Sequence, residues 1–169
     1  MKNLIRKAIA LFRRTPEIRV IPAKNMAIRR LTERVEKELQ KRPDAMYGND
    51  AAPLKHSFGD GLYVREIFMQ KGMLIVSKIH KFEHPYFILK GDVSVLTEEG
   101  VVRLKAPYQG MTPVGTKRVL YIHEDTTWIT VHATKERDIY KIEEEIIAKD
   151  FSEVLPTLEE VKELKKGEK

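Results

Sequence analysis

The sequence predicts a mainly β protein, a small barrel or sandwich with helices at both ends, on three observations. From Gly61 to Thr134 short segments rich in Val, Ile, Leu, Tyr and Phe are punctuated by Gly, Pro, Asp and Glu, the pattern of short strands and turns. On either side of that stretch apolar residues recur at helical spacing instead. Finally, 169 residues that are 42% hydrophobic and 33% charged supply one compact core with appended pieces, not two full domains.

Composition removes several classes of chemistry. Cysteine is absent, which excludes disulfide scaffolds, thiolate zinc sites, iron–sulfur clusters and cysteine nucleophiles, and leaves His, Asp and Glu as the side chains able to hold a metal. No run approaches the roughly 18 to 20 apolar residues of a membrane-spanning helix. With no secretory pattern at the start either, the expected location is cytoplasmic. The net charge of +6 is uneven: residues 1–42 carry +9, residues 43–134 are balanced and residues 135–169 carry −3. A basic arm on a neutral body points to an anionic partner, nucleic acid or a membrane surface, or to docking on the acidic tail.

The elements follow in order. Residues 1–43 form the basic arm: an amphipathic helix over 3–14, with Leu4, Ile5, Ala8, Ile9 and Phe12 on one face, and a second helix over about 26–41, with Ala27, Ile28, Leu31, Val35 and Leu39 in one stripe. The stripe needs a surface to cover it, which favours a homodimer. Residues 44–61, dense in Gly, Asn, Asp and Pro, read as a linker. Residues 62–134 hold the barrel, with strands at 62–69, 73–80, 86–90, 93–97, 101–105, 117–123 and 128–134, and hairpin turns at 98–100 and 124–127. Residues 135–169 return to helix, with Ile139, Ile142, Ile146 and Ile147 spaced for about 136–149 and a capping box at Thr157 and Glu160.

Four of the five histidines fall in the β region. His80 and His84 flank a tight turn, and a turn of that size can bring both imidazoles to one barrel mouth, where they suit a divalent transition metal such as Zn, Fe, Mn or Ni. A third ligand is required. Pairing 117–123 with 128–134 as a hairpin about Asp125 sets Arg118 opposite His132 on one face, which makes His132 the third ligand and Arg118 its neighbour. A one-residue slip would instead bring His123 and Tyr121 inward. Glu83, between the histidines, is the candidate general base or imidazole-orienting carboxylate, with an ordinary solvated turn residue as the alternative. Trp128 is a candidate wall of the ligand pocket.

The stretch from Gly72 through Lys78, His80, His84 and Gly91, followed by Pro113, Gly115 and Arg118, resembles the two motifs of the cupin superfamily. In that family the first motif is a Gly, a His-x-His pair, a Glu, and a Gly seven positions after the Glu; the second is Pro-x-Gly and, after two intervening residues, a histidine ligand. Aligned on Gly91, His84 takes the glutamate's place, His80 that of the second histidine and Lys78 that of the first, while Arg118 stands at the fourth ligand position. The resemblance covers residues 62–134 and implies a double-stranded β-helix barrel, usually paired into dimers. The runs HKFEH, KAP, PVGTKRVLYIHED and WITVH further resemble small cupin-like proteins of tailed phages and prophages, a group that supplies no reaction.

Two ligand positions thus hold cations, which repel a dication and attract an anion. Three readings stay open: a His80, His84 and His132 metal site with Arg118 clamping an anionic ligand; a metal-free pocket in which Lys78, Arg118 and the histidines bind a small anion; and histidines that simply pack. Whether the protein is an enzyme stays open as well. The competing function is non-catalytic, a binding or structural protein whose residues 1–42 contact nucleic acid or another protein.

Overall fold

The computed structural model describes residues 26–97 and 100–154. The expected helix at 3–14, the turn residues Glu98 and Glu99 and the capping box at Thr157 lie outside them. The described chain runs α1 (Met26–Gln40), the single turn α2 (Gly48–Ala51), β1 (Leu54–Gly59), β2 (Leu62–Met69), β3 (Leu74–Val76), β4 (Ile79–His80), β5 (His84–Thr97), β6 (Gly100–Lys105), β7 (Tyr108–Thr112), β8 (Val119–Ala133), α3 (Ile139–Ile146), β9 (Ile147–Ala148) and a 3-10 turn at Phe151–Glu153. This is the mainly β, helix-flanked class that the sequence predicts, and its pairings are antiparallel.

Two long strands organise it. The first half of β5 pairs β7 on one side and the second half of β8 on the other, and β8 there pairs β2, which pairs β1. The second half of β5 pairs β6 and the first half of β8, which pairs β3. Each long strand therefore belongs to two walls and bends between them. The register between β5 and β8 slips around Lys90 and Asp92, so inward residues are even-numbered before the slip (His84, Tyr86, Ile88) and odd-numbered after it (Val93, Val95). Gly91 sits in this corner at φ 108°, and a Cβ there would lie 2.7 Å from the Thr126 Cα and 2.8 Å from the Asp125 carbonyl oxygen. Only glycine fits.

The expected hairpin at 124–127 is not present: residues 119–133 are one strand, because β5 and β2 supply ladder partners across the polar stretch Glu124–Thr127. Likewise 86–90 and 93–97 are one bent strand. The segment read as a linker holds β1, joined to β2 by Asp60 and Gly61, the latter at φ 69°. β7 and β9 also went unread, and 73–80 divides into β3 and β4.

Three apolar clusters hold the walls. Met69, Tyr86, Ile88, Val93, Val95, Leu104, Leu120, Ile122 and Trp128 fill the barrel. The α1 stripe packs outside the second wall, where Val35, wholly buried, meets Leu96, Val101, Val119 and Tyr121. This explains why both faces of β8 are buried over 119–122. It also removes the argument for a second copy from that stripe, since the chain's own barrel covers it. α3, capped by Asp138 accepting from the Tyr140 and Lys141 amides, lays Ile142 and Ile146 on Tyr63.

Candidate metal centre and its cavity

Three histidines converge between the walls. His80 ends β4, which is fixed by pairing with β9 and by the Gly115 amide donating to the His80 carbonyl at 2.8 Å. Gly115 has φ 73°, so the Pro113-x-Gly115 turn needs glycine to close on that carbonyl. His84 opens β5 and His132 lies near the end of β8, opposite Tyr63 of β2. All three are buried, and one ring nitrogen from each lies within 4.8 Å of those of the others. The His84 ring centroid is 4.3 Å from that of His80 and 4.3 Å from that of His132.

The nitrogen inventory suits a metal. His84 Nδ1–H donates to the Phe82 carbonyl at 3.1 Å, which leaves Nε2 with its lone pair. His80 Nδ1 is buried without a hydrogen-bond partner. His132 Nε2 lies 3.1 Å from the Thr130 hydroxyl. Burial, reinforced by the other histidines and by Arg65, drives His80 down to about 2 and His132 down to about 3, and burial lowers His84 too. All three are neutral imidazoles near pH 7, the form that ligates. Three neutral nitrogen donors with an orphaned buried nitrogen among them fit a divalent transition metal that keeps open positions.

His80 and His84 face a cavity of about 180 Å³ between the walls. Trp128 and Arg118 line it as well, Trp128 stacking on Tyr86 at 4.5 Å between ring centroids and Arg118 lying over the Tyr86 ring at 5.0 Å. Tyr86 in turn lies flat on Gly110 of β7, where a Cβ would come within 2.8 Å of the ring. His132 and Arg118 were expected to share a face across a hairpin; they share the even-numbered parity of one continuous strand and its approach, which gives the same side for a different reason.

Of the other two candidates, one borders the cavity and one does not. Lys78 borders the cavity, its side chain half-exposed and its Nζ paired with Glu143 at 2.8 Å. Glu83 is exposed on the turn and does not line the cavity. Among the lining residues that the sequence reading missed are Glu143 from α3, Thr112, whose hydroxyl is buried and unpartnered, and Arg65, whose buried Nε also has no partner. Arg65 was signalled by position, since Tyr63, Arg65, Ile67 and Met69 alternate inward along β2.

Fold and site together define a small antiparallel β protein with a buried three-histidine cluster able to hold a metal ion. No family model matches the sequence, and no curated protein matches it. Among solved structures, KdgF from Halomonas sp. is similar at 14% identity and a TM-score of 0.46, covering 56% of this chain and 90% of that one. A cupin-2 domain protein from Shewanella frigidimarina is similar at 7% identity and a TM-score of 0.41, over 47% and 78% of the two chains. A predicted oxalate decarboxylase from Thermotoga maritima is similar at 16% identity and a TM-score of 0.41, over 48% and 78%. The residues of the site, not these neighbours, carry its chemistry. No helix among the described residues is long and apolar enough to cross a membrane.

Proposed function

We propose that the protein is a cupin-type metal-binding protein whose His80, His84 and His132 hold one divalent transition metal at the floor of a cavity that receives a small anionic ligand. The observation that supports it is the convergence of three buried imidazoles from β4, β5 and β8, with the His80 Nδ1 left unpartnered. When bound, the metal supplies a Lewis acid with open coordination positions. The chain's own residues do the rest. The Phe82 carbonyl fixes the tautomer of His84, Arg118 offers a guanidinium to an anion, and Trp128 with Leu120 excludes water from the inner wall. Binding and catalysis share this geometry, and the phage and prophage resemblance adds no reaction to it.

Elemental analysis of untagged, chelator-free protein tests the proposal. About one transition metal per chain is expected, falling together in His80→Ala and His132→Ala while the fold, followed by circular dichroism, persists. Protein that can be neither loaded nor stabilised by added Zn, Fe, Mn or Ni overturns it.

A second reading rests on α1. Arg30, Arg34, Lys37 and Lys41 are exposed at helical spacing on the face away from the barrel, continuing the +9 of residues 1–42. That face supports contact with nucleic acid, which predicts affinity falling steeply with salt and lost when residues 1–42 are deleted.

A further inference from the structure

Arg65 brings into the cavity a positive charge that neither the histidine cluster nor the packing of the walls explains. The residue is 8% exposed and its Nε is buried without a partner, and Arg118, half-buried on the lining of the same cavity, also has a buried Nε without a partner. A guanidinium taken out of water needs a counter-charge. Among the described residues the buried carboxylate is Asp92, and Arg103 holds both its oxygens at 2.8 Å. Glu143 at the rim acts on Arg65 through space, but its Oε2 is given to Lys78. A dication on the three neutral histidines would add further positive charge to this enclosure, so the ligand must carry the balance.

Most of the remaining wall is apolar, interrupted by the hydroxyls of Ser77, Thr112, Thr116 and Thr130. Ile67, Met69, Ile75, Leu120 and Trp128 face the same space. Its volume of about 180 Å³ is a little above the roughly 150 Å³ that accommodates a benzene ring. Guanidinium groups and hydrocarbon walls around so small a space select an anion with an apolar body. Planar guanidinium forks match the two oxygens of a carboxylate.

We infer that the cavity takes a small carboxylic acid with an apolar body, on the order of six to ten non-hydrogen atoms, its carboxylate held by Arg65 and Arg118 and its body lying on Ile75, Leu120 and Trp128. This rests on the proposed reading of the cavity as the ligand site and adds Arg65 as a ligand-binding residue.

The test is calorimetric titration of zinc-loaded and chelator-treated protein with benzoate, hexanoate, benzyl alcohol and inorganic phosphate. Benzoate or hexanoate is expected to bind, with benzyl alcohol at least tenfold weaker. Arg65→Gln and Arg118→Gln should each weaken benzoate at least tenfold while the zinc content of Arg65→Gln stays at the wild-type level. Arg65→Lys, which keeps the charge but not the fork, should fall between wild type and Arg65→Gln. If Arg65→Gln does not fold, Arg118→Gln and the alcohol comparison decide. The inference is overturned by equal affinity for benzoate and benzyl alcohol, by benzoate affinity unchanged in Arg65→Gln, or by phosphate binding more tightly than benzoate. Zinc binding with no carboxylate binding in either metal state sinks this inference alone. Carboxylate binding through Arg65 in protein that takes no zinc sinks the metal reading alone.

Discussion

Burial sets the acid–base behaviour of the histidines before any metal does. In an unfolded chain an imidazole takes up a proton near pH 6.5, whereas folded His80 waits until about 2 and His132 until about 3. Between those limits the unfolded state binds more protons than the folded one, so metal-free protein loses stability as pH falls below about 6.5. Each of these two histidines adds about 1.4 kcal/mol per pH unit to the loss within that window. Urea midpoints at pH 7, 5.5 and 4 measure it, and the His80→Ala, His132→Ala double variant should show a much flatter profile. A second prediction at this scale concerns Gly91. Alanine there meets the Thr126 backbone and must hold a positive φ, so Gly91→Ala should cost roughly 2 to 3 kcal/mol in denaturant unfolding.

At the scale of elements, the α1 stripe acts as an outer cover for the second wall. Val35→Ala removes two methyl groups from a fully buried position and should destabilise by about 2 kcal/mol, read as a lower urea midpoint at unchanged slope. Zinc content should not change, because Val35 packs on the outer face. The elements also show what a single sequence conveys. Helix α1 was legible because its apolar residues keep one helical period over 26–40, and strand β2 because a run rich in aliphatic and aromatic residues at 62–69 is bounded by Gly61 and Gly72. Strands β5 and β8 were read as pairs of shorter strands, since Lys90, Gly91 and Asp92 in one and Glu124 and Asp125 in the other carry turn chemistry. Those residues instead form the corner where both strands bend, and only the tertiary partners distinguish a bend from a turn. β1 was hidden by the polar residues around it, although Asp60-Gly61 is a strong hairpin signal. His80, His84, His132 and Arg118 were legible as types and parity. Arg65 was not singled out, because its inward direction depends on which face of β2 the barrel covers.

Over the whole molecule, the site is non-local, drawn from residue 65, the turn between residues 80 and 84, residue 118 and residue 132. No fragment of the barrel contains it, so a chain cut between β5 and β6 should lose zinc binding altogether unless the halves reassociate, as elemental analysis of the separated fragments would check. Binding to the folded state alone also raises stability with ligand concentration, by about 2.7 kcal/mol when free metal is at one hundred times its Kd. Thermal melts at rising zinc should therefore shift upward in the wild type and stay fixed in His132→Ala.

The separation of His84 from His132 along the chain gives the cluster one more consequence. An ion shared by them pins the start of β5 to the end of β8, closing a loop that contains the corner at Gly91 and all of β6 and β7. It would work as a removable staple across the least local part of the fold. Proteolytic resistance of the β6–β7 region would then follow the metal supply, rising on loading and falling when a chelator draws the pin.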